Sequence, residues 1–130
     1  MNLMQFLGLA ICVVLLAGPA GAKPRVVTVA PGQTVEVGKH VSFTGDCSQG
    51  PVPLITIIDK PKYGVLGTDL GAVKMRHAKV GSSTCEGRAS KGLIILYTAN
   101  VGFHGVDHLQ YRVDYYPKGN SYWEVDIKVK

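Results

Sequence analysis

The chain has 130 residues, with 14 Lys or Arg against 9 Asp or Glu, so its formal net charge is +5. All of these charged residues follow Ala22, which leaves one domain of roughly a hundred residues with a modest core and excludes a second domain. The positive charge favours acidic partners such as anionic polysaccharide, and it disfavours a calcium site built from many carboxylate oxygens.

Residues 1–22 have the character of a signal peptide because they carry no charged side chain. The apolar stretch Phe6–Ala17 has the length of a signal-peptide core and is short for a membrane span. An AxA site ending at Ala22 predicts cleavage, which would leave residues 23–130 as an exported, periplasmic or secreted chain without a membrane span. An uncleaved membrane anchor is one alternative, and a lipoprotein modified at Cys12 is another.

The exported segment is predicted to consist of short strands separated by turns. The predicted strands are, in chain order, Val26–Val29, Thr34–Val37, His40–Thr44, Leu54–Ile58, Val65–Leu66, Ala72–Val80, Leu93–Tyr97, Asp107–Asp114 and Tyr122–Lys130. Apolar and polar residues alternate most clearly in the last two, where Tyr111 and Trp123 are expected to point into the core. Strands at intervals of about ten residues, with no helical spacing between them, are typical of an all-β sandwich.

Cys47 and Cys85 are the thiols that remain after cleavage of the leader. An exported chain meets an oxidising compartment, so the two are expected to form a disulfide. Closing a loop of about 39 residues would stabilise the fold by roughly 4 kcal/mol in the chain-entropy model. Free or metal-bound thiols are the alternative, although the spacing fits neither a redox CxxC motif nor a zinc site.

Two segments resemble the bacterial cadherin-like tandem-repeat family, whose extracellular modules carry PxHGxV followed by YTPNxxFxGxDxFxYxV. The first segment is Pro61–Val65, and the second is Tyr97–Val113. The resemblance implies an immunoglobulin-like (cadherin-like) antiparallel β-sandwich with a role in adhesion or surface architecture. Between the two segments, Gly67–Gly92 stands where the family has a short hairpin, and a disulfide at Cys85 would staple this insertion to the loop Gly45–Pro53.

The second segment also resembles strand F of immunoglobulin-like domains, which carries a corner tyrosine. Tyr111 would be this tyrosine, and Val113 stands where antibody-type domains have a cysteine. The predicted disulfide would therefore differ from the usual bond between strands B and F. Asp107 is expected to accept backbone hydrogen bonds at the corner Gly102–Gly105 instead of binding calcium.

A tyrosine-rich loop is the first candidate for a binding surface. Tyr115, Tyr116 and Tyr122 flank the turn Pro117–Asn120, and rigid aromatic loops are frequent contact surfaces on sandwich scaffolds. The alternative is that these rings pack over the end of the sandwich.

A basic stretch in the predicted insertion is the second candidate. Lys74, Arg76 and Arg88 suit an anionic ligand, while lysines on a strand edge also protect against aggregation. Together the two features predict a non-catalytic binding or structural module of the bacterial envelope. Its expected partner is an envelope protein or an anionic polysaccharide, and nucleic acid is not expected.

His104 and His108 carry the alternative hypothesis of a periplasmic metal-binding protein, because imidazoles suit copper, zinc or nickel. Along a strand the two would lie on the order of 13 Å apart, too far for one ion unless the chain bends at Gly105. No cofactor is therefore expected. GxSxG, HExxH and phosphate-loop motifs are missing from the sequence, so the chain is expected not to be an enzyme, with a hydrolase that uses His77 as the third alternative.

Overall fold

The computed structural model describes residues 23–75, 79–80 and 83–130. The predicted signal peptide, Arg76 and His77 lie outside this part of the chain. The strands of the described residues are β1 Arg25–Val29, β2 Thr34–His40, β3 Leu54–Asp59, β4 Gly64–Lys74, β5 Lys79–Val80, β6 Ser83–Thr84, β7 Ala89–Ala99, β8 Gly105–Asp114 and β9 Asn120–Val129. Among the same residues there is no apolar helix of membrane-spanning length.

The strands form two main sheets around a shared core. The first sheet has the order β1-β9-β8-β3 and the second has the order β2-β7-β4, while β5 and β6 pair with each other. These pairs are antiparallel, with the exception of β1, which runs parallel to β9. The predicted all-β, two-layer architecture is confirmed, and the parallel pair corrects the expectation that every neighbour would be antiparallel.

The core follows the predicted alternation because a strand places every second side chain on one face of its sheet. Its fully buried side chains include Val37, Ile95, Tyr97, Leu109, Tyr111, Val113, Val125 and Ile127. Trp123 lies on the inward face of β9, but its side chain is 39 % exposed. The expectation that it belongs to the core is wrong, because it lies near the first residue of β9, where the sandwich ends.

The predicted insertion Gly67–Gly92 belongs to a long hairpin. β4 and β7 pair without interruption from Gly64 opposite Ala99 to Lys74 opposite Ala89. Most of Gly67–Gly92 therefore extends two core strands. The predicted strand Ala72–Val80 is not continuous, because its first three residues end β4, Met75 interrupts it and Lys79–Val80 forms β5, while residues 76–78 lie outside the described part of the chain. The backbone ladder with β7 holds β4 in place where its side chains show no apolar alternation.

β2 extends the predicted strand Thr34–Val37 as far as His40. A bulge between Glu36 and Gly38 shifts the register with β7, and the strand then runs on to His40. The predicted strand His40–Thr44 is therefore wrong beyond its first residue. The chain after His40 is a loop in which Phe43 forms an isolated bridge with Gln49.

The disulfide between Cys47 and Cys85 is confirmed, with an S–S distance of 2.04 Å and a Cα–Cα distance of 5.3 Å. It joins the loop after β2 to the connection between β4 and β7. Backbone hydrogen bonds from Met75 to Arg88 and from Arg88 to Cys85 continue the hairpin toward the bond. The loop and the hairpin connection are thus held together at one end of the sandwich.

Candidate functional site

A pocket of about 910 Å³ opens at this end of the sandwich. β2, β4 and β8 end here, while β1, β7 and β9 begin here. We call it the end pocket, and the residues that determine its chemistry are Arg25, Lys39, His40, Lys74, Tyr115 and Trp123. Its volume lies in the range of about 300–1,000 Å³ that is usual for small-ligand sites.

His40 lies against the floor of the end pocket between two tyrosine hydroxyls. Its side chain is 3 % exposed, with Nδ1 2.8 Å from the Tyr115 hydroxyl and Nε2 2.9 Å from the Tyr111 hydroxyl. Gly38 makes this arrangement possible, because a Cβ at this position would collide with the Tyr111 hydroxyl. The glycine in the β2 bulge therefore lets the phenol of β8 reach the histidine of the facing sheet.

The three groups are neutral at neutral pH. Burial, assisted by the nearby positive charge of Arg25, lowers the pKa of His40 from 6.5 to about 4. Burial is also the main cause that raises the pKa of Tyr111 to about 12 and that raises the pKa of Tyr115. A neutral imidazole carries one N–H and one bare nitrogen, so one phenol accepts a hydrogen bond from the ring and the other donates one to it.

Trp123 presents an exposed aromatic face whose position is fixed from two sides. Its ring packs edge-on against His40 with 5.1 Å between centroids. The indole Nε1–H donates a hydrogen bond to the Ser121 hydroxyl at 2.8 Å. The ring of Tyr115 also meets His40 edge-on, at 6.1 Å. The pocket therefore offers rigid aromatic surface.

Cations outnumber acids around the opening of the end pocket. Lys39 forms an exposed ion pair with Glu36 at 3.1 Å. In the described part of the chain neither Arg25 nor Lys74 forms an ion pair. Their charges remain available to a ligand, and the field at the opening attracts anions.

A second cavity of about 520 Å³, which we call the side pocket, adjoins the first. It is lined by Lys23, Arg25, Gln110, Ser121, Tyr122, Trp123 and Glu124. Arg25 and Trp123 line both cavities, so these two side chains form the boundary between them.

The structure brings together part of the two predicted binding surfaces. Tyr115 from the tyrosine loop and Lys74 from the basic stretch line the same end pocket. Tyr122 is 63 % exposed in the side pocket, and Tyr116 is 80 % exposed on the turn outside both cavities. Arg88 is exposed on the hairpin connection, and Arg76 lies outside the described residues.

His104 and His108, the two histidines of the metal-binding hypothesis, lie in different environments. His108 places Nδ1 2.8 Å from a carboxylate oxygen of Asp126 on the outer face of the first sheet. His104 is exposed and precedes β8. Within the described residues no three His, Cys, Asp or Glu side chains are grouped so that they could hold a metal ion.

Asp107 anchors the turn before β4. Its carboxylate accepts hydrogen bonds from the backbone N–H groups of Lys62 and Tyr63, both at 2.9 Å, and from the Tyr97 hydroxyl at 2.8 Å. The expected role as an acceptor of backbone hydrogen bonds is confirmed, but the turn is the one at Lys62, not the corner Gly102–Gly105. Burial of the phenol, together with the hydrogen bond to this carboxylate and its negative charge, raises the pKa of Tyr97.

Tyr111 is structural, but it is not a corner tyrosine. Its hydroxyl bonds to His40 in the facing sheet, so it links the two layers and does not tie a loop to its own strand.

Sequence reasoning missed the two residues at the centre of the site. Arg25 and His40 stand in no motif, and Tyr111, a partner of His40, lies 71 positions further along the chain. The glycine two positions before His40 is the one local signal, since it indicates a close approach of another chain segment.

Comparison of the chain with protein-family models, with curated proteins and with solved structures finds no match.

Proposed function

We propose that this chain is an exported, non-catalytic binding module with an immunoglobulin-like fold, and that it binds an anionic glycan at the end pocket. The observation that carries the proposal is the combination of the exposed, fixed ring of Trp123 with the cations Arg25 and Lys74. A flat aromatic face suits the apolar face of a sugar ring. Neighbouring cations suit its carboxylate or sulfate groups.

The strand order supports the immunoglobulin-like assignment. β3, β8 and β9 correspond to strands C, F and G of such domains, and β2, β7 and β4 correspond to strands B, E and D. The end pocket then lies where the B–C, D–E and F–G connections meet. Connections at one end of a rigid sandwich are the usual place for recognition in these scaffolds.

The position of His40 supports binding over chemistry. Both of its ring nitrogens are within hydrogen-bond distance of tyrosine hydroxyls. A general base or a metal ligand needs a ring nitrogen that faces the substrate or the ion. His40 instead holds Tyr115 and Trp123 in position and leaves the binding surface to them.

The disulfide supports export, because structural disulfides persist in oxidising compartments outside the cytosol. A charged polymer of the cell envelope is a ligand that an exported protein would meet there. The net charge of +5 favours attraction to such a polymer.

Calorimetric titration of the protein with an alginate-type tetrauronate tests the proposal, and a neutral glucose tetramer serves as the comparison ligand. We expect the acidic tetramer to bind, the neutral one to bind more weakly, and the affinity to fall as salt is added. Trp123→Ala is expected to weaken binding by roughly tenfold or more, because centrally placed aromatic residues dominate recognition. Lys74→Gln is expected to weaken it less.

Two matched variants act as controls. Tyr116→Ala removes an exposed ring outside both cavities, and Lys60→Gln removes an exposed lysine that lines neither of them. Both are expected to bind like the unmodified protein. Equal binding of acidic and neutral tetramers, or equal losses in Lys60→Gln and Lys74→Gln, would count against the end pocket as an anionic glycan site.

A further inference from the structure

The side pocket lies along the unpaired part of β9. β1 begins opposite Val125, with Arg25 as the paired residue. Within the described residues, the segment 121–124 therefore has a strand neighbour in β8 and none on its other side. Backbone N–H and C=O groups at such an edge are available to hydrogen-bond donors and acceptors.

The lining of the side pocket repeats the chemistry of the end pocket. Tyr122 supplies an exposed ring, and Lys23 supplies a cation. The carboxylate of Glu124 accepts a hydrogen bond from the Gln110 amide at 3.2 Å and adds one negative charge, so Lys23 and Arg25 leave the lining with a net positive charge. The side pocket thus also offers aromatic surface next to positive charge.

The boundary between the two cavities consists of groups that can contact a sugar. Trp123 and Arg25 line both sides of it, so a ligand that leaves one cavity passes over an indole ring and a guanidinium before it enters the next. A ligand of one sugar unit fills one cavity. An oligosaccharide contacts the end pocket, the boundary residues and the side pocket at the same time.

We propose that the ligand is an oligomeric acidic glycan that occupies both cavities at once and crosses the boundary at Trp123 and Arg25. The proposal rests on the function proposed above and extends the binding site from the end pocket alone to both cavities. Each cavity is large enough for a small ligand, at about 910 and 520 Å³. Occupation of the second one adds contacts without the full entropic cost of a separate binding event.

We expect the affinity for uronate oligomers to increase with the number of units. Uronate oligomers from one to six units are titrated against the protein at a fixed ionic strength, with the fluorescence of Trp123 as the readout. The chain contains a single tryptophan, so this signal reports on the boundary itself. We expect the affinity to rise by roughly tenfold or more once both cavities are filled, and then to level off.

Variants of Tyr122 separate the side pocket from the end pocket. Tyr122→Ala is expected to abolish the gain with length and to leave the affinity for the shortest bound uronate unchanged. Tyr122→Phe keeps the ring and should restore the gain, while Tyr116→Ala should behave like the unmodified protein. Equal thermal unfolding temperatures establish that each variant is folded.

The outcomes distinguish the two proposals. An affinity that is independent of length, or an equal loss for short and long oligomers in Tyr122→Ala, overturns the two-cavity site and leaves the end pocket as the binding site. Failure of every oligomer to bind overturns both proposals. A rise with length that persists in Tyr122→Ala refutes the assigned path, because the extra units would then contact another surface.

Discussion

Replacement of His40 by glutamine should remove a large part of the acid sensitivity of this fold. The folded-state pKa of His40 is about 4, below its ordinary value of 6.5, so the unfolded chain binds more protons between these values. The stability that depends on neutral His40 is therefore complete above pH 6.5 and is lost as the pH falls toward 4. We expect it to decrease by about 2 kcal/mol from pH 7 to pH 5 and by about 3 kcal/mol at pH 4.

Urea unfolding followed by Trp123 fluorescence at pH 7, 6, 5 and 4 measures this change. Glutamine keeps one donor and one acceptor for the two phenols but does not titrate. The difference in unfolding free energy between the two proteins should therefore change across this pH range, since other groups contribute equally to both. At pH 7 the variant is expected to be less stable because its amide cannot fill the site of the imidazole ring.

His104→Gln is the matched control, because His104 is exposed. It should retain the loss of stability between pH 7 and pH 4 that His40 causes, because His40 is unchanged in this variant. A parallel pH dependence of the unmodified protein and His40→Gln would refute the reasoning, since His40 would then not be held neutral by burial.

Three further perturbations have outcomes that the structure predicts. Replacement of both Cys47 and Cys85 by serine should lower the unfolding free energy by about 4 kcal/mol, measured by urea unfolding, because the unfolded chain gains the freedom of a loop of about 39 residues. Gly64→Ala should lower the thermal unfolding temperature, at a cost of about 1–3 kcal/mol, because its Cβ would collide with the ring of Tyr97. Asp107→Asn should lower the urea midpoint, at a cost of about 2–3 kcal/mol, because an amide cannot accept all of the hydrogen bonds of the carboxylate.

Two further substitutions are controls for Gly64→Ala and Asp107→Asn. Gly67→Ala lies on the same strand as Gly64 but meets nothing within 4 Å, so it should leave the unfolding temperature nearly unchanged. Asp69→Asn alters an exposed carboxylate that accepts a hydrogen bond from the adjacent backbone N–H of Leu70, so its effect should be well below that of Asp107→Asn. Equal losses within either pair would contradict the assigned contacts.

The parts of the fold that could be predicted are those in which one face of a strand is buried. In β8 and β9 apolar residues such as Tyr111 and Val125 alternate with polar ones, so the sequence alone predicts that both segments are strands and which face points inward. β4 does not alternate, and glycines such as Gly67 interrupt it. Its position depends on the ladder with β7, which is a property of the pair and cannot be seen in one segment.

Some residues of the candidate site could be predicted from the sequence, but their meeting in one pocket could not. Tyr115 and Lys74 were identified separately by their residue types. Their meeting in one pocket depends on the β4–β7 hairpin, which carries Lys74 to the end where β8 stops. His40 and Arg25 became visible as site residues through contacts between distant parts of the chain.

If the end pocket binds a ligand as proposed, the disulfide between Cys47 and Cys85 makes that binding depend on the oxidation state of the two cysteines. Val41, in the loop after β2, and Met75, the residue after β4, line the end pocket. The disulfide joins the two segments to which they belong. A chain in which Cys47 and Cys85 are reduced would lack this constraint, so the proposed binding of an acidic glycan should be weaker before the disulfide forms. Measurement of tetrauronate affinity with and without reductant, at a pH where both forms remain folded, tests this coupling, and equal affinities would exclude it.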